Sequence, residues 1–347
     1  MGQDVCQPPT RVHALGSGKR HHVTLKEMQM KAVLATPAGA VLRDLPTPTV
    51  GAGQLLVRVH AAALNRADLR TLQLGENTVL GMEWAGEVVA VAPDVTAFRV
   101  GDRVMCSGKA AFAEYAVADV GRTMKIPAER ISYREASSVM LALQTMHDAI
   151  VTHGRIERGD RVLIHGAASS VGLTGAKIAR ACGAGFVMGT SRDPARRAAL
   201  LDNGFDAVLD SDDPRWPEQS LGLTAGDGFN VIVDQVAGAR FNDLIQVAAI
   251  LGRIVNVGRL GGATGAFDFE THAVKRLSYI GVTFRTRSSA EIQLITERMH
   301  RDLSDALDRG ELSIPLDREF ALADAAQAYE RMKANLHFGK ITLRIDQ

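Results

Sequence analysis

Apolar and polar positions fall into two rhythms along the chain. Between residues 30 and 149 the segments MKAVL, GQLLVRVHAAAL, GEVVAVAP and DRVMC alternate apolar with polar positions or form brief apolar runs. This is the pattern of short strands, and Gly101-Asp102 and Ser107-Gly108 supply breaks between them. A helix is predicted near residues 65–72 and a longer one over 131–154, with Ser132 as its cap. From Asp160 the rhythm changes to strand, helix, strand. Apolar runs at 161–164, 186–188, 207–209, 231–233, 254–257 and 279–283 enclose helical patterns at 194–202, 241–250 and 269–276. Asn203-Gly204 and Leu251-Gly252 are stop signals for two of these helices. The alternation predicts an α/β fold with a doubly wound, parallel six-stranded sheet.

After that sheet, residues 289–308 carry an amphipathic stripe through Ile292, Ile295, Met299, Leu303 and Leu307, and a second helical stretch follows. The closing segment GKITLRI reads as a strand with no partner in the parallel sheet. It is expected to return to the β-rich module, giving one unit of residues 30–149 plus 285–347 and another of 150–284.

One stretch organises the second unit: DRVLIHGAASSVGLTGAKIARACG, residues 160–183. A short apolar run ends at Gly166, and Ser169, Ser170, Val171 and Gly172 lead into a helical period. Such a strand, small-residue turn and helix N-terminus form an anion site, because backbone N–H groups and the helix dipole face a turn without bulk. A dinucleotide diphosphate is the expected ligand, although serines stand where a G-x-G-x-x-G pattern has glycine.

Composition narrows the classes. Forty basic against 39 acidic residues leave a net charge of +1, which argues against nucleic-acid or polybasic membrane binding. Cys6, Cys106 and Cys182 form no disulfide framework or metal pattern, consistent with a reducing cytoplasm. Residues 1–29 lack the apolar core of a secretory signal and read as a polar extension.

The end of the second parallel strand indicates which dinucleotide binds. NAD sites place Asp or Glu there, to bond the ribose 2′-hydroxyl. Here the chain runs Gly189-Thr190-Ser191-Arg192 with Arg196 and Arg197 close behind, and arginine suits a phosphate. NADPH is therefore expected over NADH; the other reading of these arginines is a solvated helix face.

Residues AAALNRADLR (61–70), GMEWAGEV (81–88), VGDRV (100–104), VLIHGAASSVG and ANLHFGKI (334–341) occur in order. Together they resemble the medium-chain dehydrogenase/reductase superfamily, in its zeta-crystallin-like NADPH:quinone oxidoreductase branch. The resemblance covers about residues 30–345 and implies a GroES-like β-rich catalytic domain beside a Rossmann domain. Zinc alcohol dehydrogenases of this superfamily have Cys where this chain has Asn65 and His where it has Met82, so no metal is expected. The chemistry implied is hydride delivery from NADPH to a small electrophile, a quinone or an α,β-unsaturated carbonyl. Two alternatives stand: a specific enone or enoyl-thioester reductase, and an NADPH-binding protein with little catalysis.

The resemblance also implies contacts. Gly166, Ser169, Ser170, Val171 and Gly172 would hold the diphosphate, and Thr190, Ser191, Arg192 and Arg196 the adenosine phosphate. Thr145 would lie beside the nicotinamide, and Val257, Gly258, Arg259, Leu260, Phe284 and Arg285 would pass its carboxamide. Asn335 would contact NADPH, with Lys340 nearby. Asn65 either donates to the substrate carbonyl or stabilises a turn. Asp68 and Glu83 read as packing residues. Many relatives carry a Tyr in the loop before Gly-x-Glu, whereas residues 72–80 contain none. A homodimer is expected from the resemblance, joined through the edge strand near 279–283.

Overall fold

The computed structural model describes residues 28–127 and 131–346. The predicted extension at 1–29 lies almost wholly outside them. The strands Ala207–Leu209, Phe186–Thr190, Arg161–His165, Phe229–Asp234, Ala248–Asn256 and Ser278–Gly281 stand side by side in that order, every pair parallel. In sequence order this is 3-2-1-4-5-6, the doubly wound arrangement whose strand order reverses beside the first strand. The runs VLI, VM and VIV are fully buried, as strands covered on both faces must be.

The remaining chain builds mostly antiparallel sheet. Gln54–Ala63 pairs with Glu83–Val91 and with Tyr115–Asp119, and Arg103–Ser107 and Thr123–Lys125 extend the sheet on one side. On the other side, Thr342, Leu343 and Arg344 of the terminal strand Lys340–Arg344 pair antiparallel with Ala63, Ala62 and Ala61. Residues about 280 positions apart thus share one ladder.

Helices join the two sheets. Met105, Met124 and Ile126 from the mixed sheet pack in one apolar cluster with Met140, Leu143 and Met146 and with Val162, Ile164 and Val231 from the parallel one. The Met146 methyl fills the space that a Cβ on Gly175 would take, 2.1 Å away, so the helices Met140–His147 and Ser170–Ala181 touch closely there.

Several elements differ from the sequence-based expectation. The helix expected over 131–154 is three pieces: Tyr133–Ala136, capped by Ser132 and Glu135, then Met140–His147, then a wider-wound turn Asp148–His153. The helix expected over 241–250 ends at Val247, where Ala248 turns to extended backbone and starts a strand. The helix near residue 65 begins later, at Asp68, and ends at Gly75 in a left-handed conformation. Helix Trp216–Leu223 and strand Leu316–Ala321 had no counterpart in the sequence reading.

Candidate active site

The turn after Arg161–His165 is held open by its own polar side chains. Ser169 caps helix Ser170–Ala181: its Oγ accepts the Gly172 N–H at 2.9 Å and donates to Gln235 Oε1 at 2.6 Å. Gln235 Nε2 in turn donates to the Gly166 carbonyl at 3.2 Å. Gly166 adopts φ +82°, and a Cβ on Gly172 would lie 2.4 Å from the Ala167 carbonyl oxygen. The backbone therefore closes into a cradle that a side chain at either position would strain or fill. Helix start, cap and cradle suit a diphosphate. Gln235 was not among the sequence candidates; its only signal was its place just beyond the carboxyl end of the fourth parallel strand, where ligands of such sheets bind.

Thr190 and Ser191 end the second strand but turn inward. The buried Thr190 hydroxyl bonds His165 Nδ1 at 2.9 Å and receives the Gly166 N–H at 3.1 Å. It thereby braces the cradle. Arg197 is engaged by the Ser191 and Arg192 carbonyls and by Asp210 at 3.0 Å. Asp193 caps the helix Pro194–Leu201, accepting the Arg196 N–H at 3.1 Å. Arg192 is exposed and makes no ion pair among the described residues. Arg196 crosses the cleft to the Asn335 and His337 carbonyls.

A second polar group lies under the mixed sheet. Lys340, 2% exposed, pairs with the fully buried Glu83. Its Nζ also donates to Asn65 Oδ1 at 2.8 Å, and Asn65 Nδ2 donates to Glu83 Oε1 at 2.9 Å. The other Asn65 Nδ2 contact, to the Ala63 carbonyl, is long at 3.4 Å. Glu83 Oε2 accepts the Leu141 N–H at 3.1 Å, tying this group to the helix that carries Thr145. The half-buried Thr145 donates to Leu141 O at 2.8 Å. Asp68 Oδ2 accepts the Asn65 N–H at 2.8 Å, and burial pushes its carboxyl up to about 7. Lys340 is thus buried against the half-buried Asn65, and both Asn65 amide atoms have partners within the protein.

The third part of the cleft is the loop after Ala248–Asn256. Asn256 Nδ2 donates to Asp234 Oδ2 at 3.1 Å and to the Gly258 carbonyl at 2.8 Å, which sets the course of Val257 and Gly258. A Cβ on Gly258 would meet the Gln235 carbonyl at 2.5 Å. Arg259 and Leu260 are exposed. The loop holding Phe284 and Arg285 is anchored by Arg287, which donates to buried Asp148 at 2.5 Å and to the Thr283 carbonyl at 3.2 Å.

Residues 51–128 match the family model for the alcohol dehydrogenase GroES-like domain, and residues 170–301 that for zinc-binding dehydrogenase. A mycocerosic acid synthase-like polyketide synthase of Mycolicibacterium smegmatis is 30% identical over 333 residues. That match takes in 91% of this chain and 15% of the polyketide synthase. A solved mycobacterial quinone oxidoreductase is 27% identical and superposes with a TM-score of 0.80, over 91% of this chain and 99% of its own. A mycobacterial protein solved in complex with NADPH, also 27% identical, gives a TM-score of 0.78 over the same shares. The chain belongs to the medium-chain dehydrogenase/reductase superfamily, with a GroES-like sheet beside a Rossmann sheet. It is an oxidoreductase.

Zinc does not fit the place where zinc members of the superfamily hold it. At that place Asn65 faces the Lys340 ammonium, a fixed cation already neutralised by Glu83. A divalent ion there would find an amide in place of a thiolate, its oxygen already taken by the Lys340 ammonium. Among the described residues no three His, Cys, Asp or Glu side chains gather as a ligand set.

Proposed function

We propose that this chain is an NADPH-dependent reductase that works without zinc and delivers hydride to a quinone or an α,β-unsaturated carbonyl. The observation that carries the cofactor assignment is at the end of Phe186–Thr190. The nearby carboxylates are engaged, Asp193 in a helix cap and Asp210 with Arg197, while the exposed Arg192 guanidinium has no ion pair among the described residues. A 2′-phosphate is favoured by such a site and a free 2′-hydroxyl gains nothing from it. The nicotinamide, when bound, supplies the hydride.

The protein's own residues bind and orient. The Ser169-capped turn takes the diphosphate through backbone N–H groups. Thr145 and the loops at 257–260 and 284–285 flank the nicotinamide face. Asn65 faces the acceptor side, its orientation set by Lys340 and Glu83, and the weakly bonded half of its amide is the donor for a developing oxyanion. An electrophilic acceptor needs little beyond that and close approach of the reacting carbons. We assign the catalytic unit to residues 30–149 with 285–347, the nucleotide unit to 150–284, and the working compartment to the cytoplasm.

The test is NADPH oxidation with a panel of quinones and enones, with product analysis. Quinol or semiquinone formation supports quinone reduction, and saturation of a C=C bond supports the enone reading. The polyketide synthase similarity favours including enoyl thioesters in the panel. Tight NADPH binding without turnover on any acceptor would return the chain to a binding role. For the cofactor, Arg192→Ala should lower the NADPH-over-NADH preference in kcat/KM; no loss in this variant, or equal use of both cofactors by the unaltered protein, sinks the assignment.

A further inference from the structure

Two guanidinium groups from opposite sides of the cleft converge on Asn335, and neither meets an anion there. Arg66, two residues before the helix Asp68–Leu74 of the GroES-like unit, donates to Asn335 Oδ1 at 2.5 Å. Arg196, in the Rossmann helix Pro194–Leu201, donates to the carbonyls of Asn335 and His337. Arg66 has no ion pair among the described residues, and the nearest carboxylate to Arg196 is Asp193 at 3.8 Å, already capping the helix. Asp317, beside His337, is taken by two bonds from Arg331, at 2.5 and 2.8 Å. Burial and the two guanidiniums push the His337 imidazole down to about 4, so it is neutral at physiological pH. The junction therefore holds two like charges, Arg196 half-buried and Arg66 exposed, whose hydrogen-bond acceptors there are neutral and whose nearest carboxylate is Asp193 on the Arg196 side alone. An anion bound between them would offset their mutual repulsion.

We propose that Arg66 and Arg196 jointly receive the 2′-phosphate of the nucleotide, so that this phosphate bridges the two sides of the cleft. The proposal rests on the NADPH reading above. A phosphomonoester carries close to two negative charges at neutral pH, which matches two guanidiniums. The diphosphate, by contrast, has its own cradle of backbone N–H groups at Ser169–Gly172. Arg66 contributes from outside the Rossmann sheet, which makes phosphate recognition and closure of the cleft one event. On this account Arg66 is a specificity residue that no dinucleotide motif of the parallel sheet contains.

The experiment compares 2′,5′-ADP with 5′-ADP as binding probes, by calorimetric titration, on the unaltered protein, Arg66→Ala and Arg66→Lys. Arg66→Ala should weaken 2′,5′-ADP by about 10-fold or more, the scale of a lost charge-assisted hydrogen bond, and leave 5′-ADP unchanged. Arg66→Lys, which keeps the charge and loses the fork, should lie between. Retained 5′-ADP affinity shows that the variant is folded. Equal weakening of both probes, or of neither, overturns the proposal while the NADPH reading stands. An unaltered protein that does not distinguish the two probes overturns both.

Discussion

Lys340 Nζ and Glu83 Oε1 form an ion pair sealed from solvent, with the lysine 2% exposed and the glutamate not at all. The pair joins the terminal strand to Glu83–Val91 and, through Leu141, to the helix under the cleft. Removing one partner leaves a buried charge without compensation, at about 3–5 kcal/mol. Lys340→Met should therefore lower unfolding free energy by that amount in urea titrations, and Lys340→Met combined with Glu83→Leu should restore most of it. A single variant as stable as the parent would show that the pair has no such role.

The cradle predicts a sharp difference between neighbouring positions. Gly172→Ala places a Cβ 2.4 Å from the Ala167 carbonyl, against backbone that cannot rotate away. Its NADPH affinity should fall at least 10-fold, about 1.4 kcal/mol. Ser170→Gly should leave affinity within a few-fold, because Ser169 makes the cap and the Gln235 contact. Equal losses at the two positions would argue against the cradle.

Asp68 gives the stability a pH dependence of known sign. Burial raises its folded value to about 7, above the ordinary carboxylate value of 3.8. Between those values the folded chain holds a proton that the unfolded chain has released. Stability from this group is therefore greatest at low pH and is lost as pH rises towards 7, by up to about 1.4 kcal/mol per unit. Asp68→Asn keeps an acceptor for the Asn65 N–H and removes the titration. Its stability relative to the parent should rise from pH 5 to pH 7 and then level off; a constant difference in urea titrations across that range refutes the assignment.

The outer strand of the parallel sheet, Ser278–Gly281, pairs on one side only. Beside it Phe269, Val274 and Tyr279 are 76%, 67% and 47% exposed. An open edge with an apolar margin invites a second copy of the chain. Sedimentation should show a dimer at micromolar concentration, and Phe269→Asp with Val274→Asp should shift it to monomer. A monomeric unaltered protein removes the edge from consideration.

The parallel sheet was readable because its strands are continuous apolar runs bounded by stop signals. VLI, VM and VIV admit little besides burial on both faces. The breaks were not readable. At Val139 and Ala248 the backbone leaves helical geometry without a proline or glycine to mark it, as tertiary packing overrides local preference. Leu316–Ala321, with the sequence LDREFA, lacks an apolar run because it is an outer strand of its sheet. At the site, the turn and its glycines were legible as a motif. Side-chain partners were not: nothing in the order of residues shows that Lys340 reaches Asn65, 275 positions away, or that Gln235 latches Ser169. Such pairings depend on which strand ends the topology brings together.

The pairing of the terminal strand with Gln54–Ala63 sets an order of assembly. Every strand of the parallel sheet has been synthesised by Gly281, whereas the mixed sheet lacks Lys340–Arg344 until some 60 residues later. On the ribosome the nucleotide unit can reach its fold first, while Glu83 waits without its cation and Gln54–Ala63 without that neighbour. Closing a loop of 275 residues carries an entropy cost that can be met only once Lys340 has been made. A nascent chain arrested before Lys340 would expose an apolar strand edge and a buried carboxylate to solvent, making it a substrate for chaperones rather than a partial enzyme.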